Sequence, residues 1–115
     1  LANGIPKASL WATDPGGIEQ VGCVYTAQGF EYDHAGVIIG KDLVWRPRDG
    51  WIGQPEFSKD SGVTRKLKSS PKPFVDFVRH TYRVLLTRGL LGCYVYVDDE
   101  QTRDFILTRI ERKRR

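Results

Sequence analysis

What the 115-residue chain lacks narrows its function before any motif does. It contains no methionine, only two cysteines, and no apolar run near the roughly 20 residues that a membrane-spanning helix needs. The first residues also lack the charged start and apolar core of a signal peptide. Cys23 and Cys93 sit in apolar runs, which is typical of buried, reduced thiols. We therefore expect a cytoplasmic protein with no membrane partner, and a chain that is a piece of a longer one.

Phosphate-binding and metal-binding motifs are missing as well. Gly36–Lys41 reads GVIIGK, but a phosphate loop has four residues between its glycines and a Ser or Thr after the Lys, where this chain has Asp42. We do not expect the chain alone to hold a nucleoside triphosphate. Structural zinc sites usually build on a close Cys or His pair, and no such pair occurs among the possible ligands, which are Cys23, His34, His80 and Cys93.

The net charge of +4 is concentrated near the C-terminus, where Arg109 and Arg112 precede a run of three basic residues. Basic residues at this end of a helix complement its dipole. Such an end is more typical of a solvated helix terminus than of a nucleic-acid site.

The first half of the chain predicts two strands joined by a turn. Val21–Tyr25 is an apolar, β-branched run that favours a strand, and Phe30–His34 is expected to hold a short helical turn. Val37–Ile39 predicts a second strand, whose unbroken apolar character indicates burial on both faces. Leu43–Arg46 could add a short strand.

The second half predicts helices and one more strand. Pro47–Pro73 is rich in Pro, Gly, Ser and mixed charge and predicts a long surface excursion with the weakest order in the chain. Phe74–Leu86 has apolar residues at helical spacing. Cys93–Val97 predicts a strand, and Asp98 a helix N-cap. The helix Asp99–Arg112 would bury Phe105, Ile106 and Ile110. The expected fold is α/β, with a mainly parallel sheet, a right-handed crossover and flanking helices.

Two corners carry the chemistry. In the turn Thr26–Glu31, Gly29 permits close approach by a ligand, while Thr26 and Gln28 offer neutral hydrogen-bonding groups. Glu31 would lie near a helix N-terminus, where the dipole favours it. The alternative is a plain strand–helix connection.

The second corner is Thr87-Arg88-Gly89. Arg88 follows an apolar run that fixes its backbone, and a guanidinium held there is suited to stabilise charge on a transferring phosphoryl group. The alternative is an Arg that only complements the helix dipole. We expect both corners to open onto one edge of the sheet, with Arg88 pointing outward.

These residues resemble a known family. CVYTAQGFEYD, residues 23–33, resembles motif V of superfamily 1 helicases, and YRVLLTRG, residues 82–89, resembles their motif VI. From about Ala8 to Ile110, including Leu10–Asp14, the chain resembles a bacterial family of helicase-like ATPases known as domain of unknown function 2075.

The resemblance implies a P-loop NTPase of two RecA-like lobes, with ATP and Mg²⁺ bound between them. Residues 1–115 would form most of the C-terminal lobe, with the loop excursion at about 47–73, and the phosphate-binding motifs would lie upstream. Arg88 would be an arginine finger and Thr87 would fix its corner. The nucleotide side would be bordered by Gln28, Gly29 and Glu31. The link to a nucleic-acid backbone would come from Tyr25 and Thr26, together with Gln28.

The expected function is then the C-terminal motor lobe of an ATP-dependent nucleic-acid translocase or helicase. Its partners would be the upstream lobe and DNA or RNA, and the isolated chain would be inactive as an ATPase. The alternative is a non-catalytic, ATPase-derived module that regulates or binds another protein.

Overall fold

The computed structural model describes residues 10–27, 29–67 and 69–114, which form a small mixed α/β domain. Short 3₁₀ turns lie at Pro15–Glu19 and Pro55–Phe57. The helices and strands, in chain order, are α1 (Val24–Ala27), β1 (Tyr32–Ile39), β2 (Leu43–Arg46), β3 (Gly50–Gly53), α2 (Ser61–Leu67), α3 (Pro71–Leu86), β4 (Gly89–Val97) and α4 (Glu100–Arg114). Among these described helices, none is both long and apolar enough to cross a bilayer.

The strands form two separate pairs. β1 and β4 are parallel, with Ile38 opposite Tyr96 and Ile39 opposite Val97, so the predicted parallel pairing of these two segments is confirmed. β2 and β3 form an antiparallel hairpin. The prediction of a short strand at Leu43–Arg46 is therefore also confirmed.

Helix α3 joins the two pairs. It begins at Pro71. Pro is favoured at the first position of a helix, where the N–H that it lacks would have no partner within the helix. The predicted helix Phe74–Leu86 is thus confirmed, with one further turn in front of it. Phe74 is fully buried and packs with Leu43, Val63 and Val78. A side chain at Gly53 would collide with Phe74, since its Cβ would lie 2.5 Å from the ring.

The β1–β4 sheet is covered on one face. Val37, Ile39 and Val97 are buried there under side chains of α3 and α4. The side chains at alternate positions remain open, with Ile38, Tyr94 and Tyr96 exposed by 56%, 73% and 59%. Our expectation that the strand at Val37–Ile39 is buried on both faces is wrong, because both helices pack on the same side.

The predicted strand at Val21–Tyr25 is wrong. Val21 is 83% exposed, and α1 begins at Val24. The reason is local, because the Cys23 N–H donates to Thr26 Oγ1 and the Thr26 hydroxyl donates to the Cys23 carbonyl, each at 2.9 Å. These two bonds close a helical turn and satisfy backbone groups that a lone strand would leave unpaired.

The helical turn predicted at Phe30–His34 is also wrong. The Tyr32 N–H donates to the Arg88 carbonyl at 2.8 Å, and from there β1 runs alongside β4. A strand partner more than 50 residues away in the chain decides the conformation of this segment, so its local sequence could not show it.

Pro47–Pro73 is not a loop excursion. It contains β3, α2 and the start of α3. The Val63 N–H donates to Asp60 Oδ1 at 3.2 Å, so Asp60 caps α2, and Val63 enters the core of Phe74. Short elements separated by prolines produced the loop-like composition.

Two details of the C-terminal helix differ from expectation. The N-cap is Asp99 rather than Asp98, because the Thr102 N–H donates to Asp99 Oδ2 at 3.0 Å. Thr102 is fully buried whereas Ile110 is exposed.

Both cysteines are free thiols, but Cys23 and Cys93 are exposed, so their expected burial is wrong.

Candidate functional site

The Arg88 corner lies where α3 ends and β4 begins. The Thr87 hydroxyl donates to the Val84 carbonyl at 2.8 Å, and the Arg88 N–H donates to the Leu85 carbonyl at 3.2 Å. Gly89 follows at once, and a Cβ there would lie 2.2 Å from the Gly92 carbonyl oxygen. The backbone on both sides of Arg88 is therefore fixed by its own hydrogen bonds and by close packing.

The Arg88 guanidinium is held by neutral acceptors. Its Nε donates to the Val84 carbonyl at 3.2 Å, Nη2 to Thr87 Oγ1 at 3.2 Å, and Nη1 to the Phe30 carbonyl at 3.4 Å. No carboxylate of the described residues lies within 4.0 Å of it. A guanidinium has five N–H donors, so these three bonds orient the group while two donors and the whole charge stay available.

The turn before β1 meets this corner. The Phe30 carbonyl is bonded to Arg88, and Tyr32 pairs with the Arg88 backbone. Gly29 has a positive φ of 85°, and nothing lies within 4 Å of where its Cβ would be. The two predicted corners are thus adjacent, as expected. Gln28 lies outside the described residues. Glu31 is exposed and precedes a strand, so its expected place near a helix N-terminus is wrong.

The hydroxyl groups of Tyr25 and Thr26 make intramolecular hydrogen bonds. The Tyr25 hydroxyl donates to Asp60 Oδ2 at 2.5 Å. This bond raises the pKa of Tyr25 and lowers the pKa of Asp60. The Thr26 hydroxyl accepts from the Cys23 N–H and donates to the Cys23 carbonyl at the start of α1. The Tyr25 ring itself remains exposed and connects the turn to the N-terminus of α2.

Sequence reasoning missed the groove beside Arg88. An open, mainly apolar groove of about 890 Å³ lies between the N-terminal segment and the sheet, and its walls include Trp11, Ile18, Tyr32, Arg88 and Tyr94. The Trp11 indole packs edge-on against Tyr32, with 6.0 Å between ring centroids. A Cβ at Gly22 would lie 2.7 Å from the Trp11 ring. The signal in the sequence was a lone Trp followed by several glycines. Because glycine has no side chain, the flat Trp ring can lie close to the backbone there.

Tyr32 also lies next to the guanidinium. Its hydroxyl is buried and has no hydrogen-bond partner among the described residues. Burial raises the pKa of Tyr32, and the Arg88 charge partly offsets that rise. This phenol was not singled out from sequence, because its neighbour Arg88 is far away in the chain.

The chemistry of the donors fits one phosphate contact better than a whole nucleotide site. Arg88 has spare N–H donors beside an open glycine turn, which suits an anionic oxygen. Gly36 to Ile39 belong to β1, so the GVIIGK segment is a strand end and not a phosphate-binding loop. Across the described ranges, no group of three His, Cys, Asp or Glu side chains could hold a metal ion.

Comparison with known proteins assigns the family. Residues 2–99 match the family model described as Schlafen group 3, DNA/RNA helicase domain. The chain is also 35% identical over 105 residues to the uncharacterized protein YPL245W of Saccharomyces cerevisiae. That match covers 88% of this chain and 23% of the yeast protein. No solved structure matches. The chain therefore belongs to the Schlafen group 3 DNA/RNA helicase domain family, a helicase-like family.

Proposed function

We propose that this chain is the C-terminal motor lobe of an ATP-dependent nucleic-acid translocase or helicase. In this proposal Arg88 contacts the γ-phosphate of ATP held by an upstream RecA-like lobe of the same protein. The observation that carries it is the guanidinium oriented by Val84, Phe30 and Thr87 without a carboxylate among the described residues. Membership of a helicase-like family supports the general class. The likeness of residues 82–89 to motif VI of superfamily 1 helicases supports the assignment of Arg88.

The chain's own groups have distinct parts in this proposal. ATP with Mg²⁺ supplies the phosphoryl group and would be held mainly by the upstream lobe. Arg88 offers its remaining N–H donors to charge on that group, and Thr87 keeps its corner in place. Gly29 leaves room for a ligand to approach the backbone, and the likeness to motif V supports assigning Gln28 and Glu31 to the same nucleotide contact.

We further propose that Tyr25 and Thr26 link this nucleotide side to a nucleic-acid backbone. The support is positional. The Tyr25 hydroxyl is bonded to Asp60 and the Thr26 hydroxyl to the Cys23 carbonyl, so the exposed Tyr25 ring is the group that remains for contact.

The test is the Arg88→Ala variant of the full-length protein. We expect ATP binding to be retained and hydrolysis to fall by about a thousandfold or more, the range for arginine fingers. Arg83→Ala is a matched control, since Arg83 is exposed on the last turn of α3 and outside the corner. Hydrolysis near the normal rate in Arg88→Ala would contradict the assignment.

The second candidate is a non-catalytic, ATPase-derived module that binds or regulates a protein. The exposed apolar face of Ile38, Tyr94 and Tyr96 favours it. Salt-dependent binding of single-stranded nucleic acid by the full-length protein would favour the motor lobe. Protein binding through this face without nucleic-acid binding or ATP hydrolysis would favour the module.

A further inference from the structure

A second groove, which we call the α4 groove, shares no lining residue with the groove beside Arg88. It measures about 450 Å³ and runs between one stripe of α4 and the end of β2. Its walls combine apolar, aromatic and basic side chains, chiefly Trp45, Pro47, Phe105, Thr108, Arg109 and Arg112. The sequence predicted that the basic C-terminal residues lie on a solvated helix end. Arg109 and Arg112 instead line this groove.

The aromatic rings hold one arginine in place. Trp45 and Phe105 stack with 3.9 Å between centroids and an interplanar angle of 9°. The Arg109 guanidinium carbon lies 5.0 Å from the centroid of the Phe105 ring. A guanidinium stacked by its face on a ring keeps its N–H groups at the rim for an anionic partner.

The positive charges of Arg109 and Arg112 in this groove are only partly neutralised. The third arginine nearby, Arg46, is bonded through both Nη atoms to Asp99 and is satisfied by it. No carboxylate of the described residues lies within 4.0 Å of Arg109 or Arg112. Asp104, which lines the groove toward the start of the helix, is the acidic group that partly offsets them.

We propose that the α4 groove binds single-stranded nucleic acid, with phosphates on Arg109 and Arg112 and a base against Trp45 and Pro47. Planar, unpaired guanidinium groups suit phosphodiester oxygens, and an aromatic wall beside them suits an unstacked base. A duplex keeps its bases stacked inside, so only a single strand can use both features. The inference rests on the proposed function, because it gives the nucleic acid of that motor lobe a second contact that does not involve Arg88.

The test measures binding of a fluorescein-labelled oligothymidylate or oligouridylate to the full-length protein by anisotropy, without ATP, over a range of KCl concentrations. The variants are Arg109→Gln and Arg112→Gln, each of which removes charge but keeps a long side chain. Arg79→Gln is the matched control, because Arg79 is exposed on α3 and outside the groove. We expect each groove variant to lower affinity several-fold, and the slope of log affinity against log salt to fall by about 0.7 for each lost phosphate contact.

Trp45→Phe gives an independent readout, since it keeps an aromatic ring against Phe105. Oligonucleotide binding should quench tryptophan fluorescence in the unmodified protein and quench it less in this variant. Unchanged affinity and salt slope in both arginine variants would overturn the proposal, as would an equal loss in Arg79→Gln. Normal binding in the groove variants together with lost hydrolysis in Arg88→Ala would overturn the α4 groove alone. Weakened binding in the groove variants with normal hydrolysis in Arg88→Ala would support the groove and contradict the arginine finger.

Discussion

The region around Phe74 and the region around the β1–β4 sheet are built from the same chain but differ in how fully they are packed. Phe74 is enclosed by α2, α3 and the β2–β3 hairpin. Between α4 and β2, the buried Thr102 hydroxyl donates to Asp99 and accepts from the Trp45 backbone N–H. On the sheet, Tyr94 and Tyr96 are exposed and the Tyr32 hydroxyl has no partner among the described residues.

The difference separates what stabilises the chain from what it offers to others. Parallel sheets are normally covered on both faces, so this exposed apolar face is suited to contact with another chain segment or a partner. Arg88 lines the same groove as Ile38, Tyr94 and Tyr96 of this open face. Substitutions in the enclosed region should therefore change stability, and those at the open side should change function.

The largest stability effect is expected for Phe74→Ala. Removing a fully buried phenyl ring should lower the free energy of unfolding by about 3–5 kcal/mol, because burial is lost and a cavity remains. Urea denaturation of the 115-residue chain measures it.

Tyr94→Ala is the matched control for an aromatic ring on the open face. Its side chain is 73% exposed, so the change in unfolding free energy should stay within about 0.5 kcal/mol. Similar losses for Phe74→Ala and Tyr94→Ala would erase the distinction between the two regions.

A smaller effect is expected for Asp99→Ala, which removes the α4 cap and the partner of Arg46. The loss should be about 1–2 kcal/mol at pH 7, from about 1 kcal/mol for the cap and up to about 1 kcal/mol for a partly exposed ion pair. Asp98→Ala, at the exposed neighbouring position, should cost little.

The stability loss caused by Asp99→Ala should depend on pH. The bonds from Arg46, then those from Thr102, hold the pKa of Asp99 well below its usual range, although partial burial opposes them. A lowered pKa in the folded state gives stability that is complete above the unfolded value, about 4, and is lost as pH falls through the folded value. The gap between wild type and Asp99→Ala should therefore narrow in acid. A gap that does not change between pH 7 and strong acid would contradict the ion-pair explanation.

The smallest stability effect is expected for Tyr25→Phe, which removes the hydrogen bond to Asp60 at an exposed position. We expect a loss of about 0.5 kcal/mol. Because the bond raises the pKa of Tyr25 and lowers the pKa of Asp60, its contribution should be complete between about pH 4 and about pH 10. It should be lost as pH rises through the folded pKa of Tyr25 or falls through that of Asp60. Tyr96→Phe, also exposed, is the control. A loss that persists at the same size above the folded pKa would show that the phenol is not the cause.

The parts of the fold that sequence predicted are those set by local periodicity. The apolar stripe of α3 and the apolar runs of β1 and β4 each contain enough spacing information to identify an element. The strand predicted at Val21–Tyr25 does not form, because contacts of Gly22 and Cys23 with other residues decide the conformation of this segment. Trp11 packs against Gly22, and Thr26 closes the turn. Neither contact follows from a hydrophobic pattern.

For the candidate site, the sequence predicted that Arg88 and the Gly29 turn lie close together, because each belongs to a recognisable motif. It could not supply the contacts that define the environment of either. Tyr25 reaches Asp60, 35 positions away, and Phe30 receives the Arg88 bond from 58 positions away. The α4 groove was missed for the same reason, since Trp45 and Phe105 meet only in the folded chain.

The most direct test of the central claim compares ATP turnover and thermal stability in Arg88→Ala and Arg88→Lys of the full-length protein. If Arg88 acts on phosphate, turnover should fall by about a thousandfold or more in Arg88→Ala. Lys should restore little, because a point charge does not replace the planar fork. Arg88→Ala should lose only about 0.3–1 kcal/mol of stability, the value of a helix C-terminal cation, and Arg88→Lys should lose less because it keeps the positive charge. Near-normal turnover in Arg88→Ala, with the stability loss rescued by Lys, would show that Arg88 only caps α3.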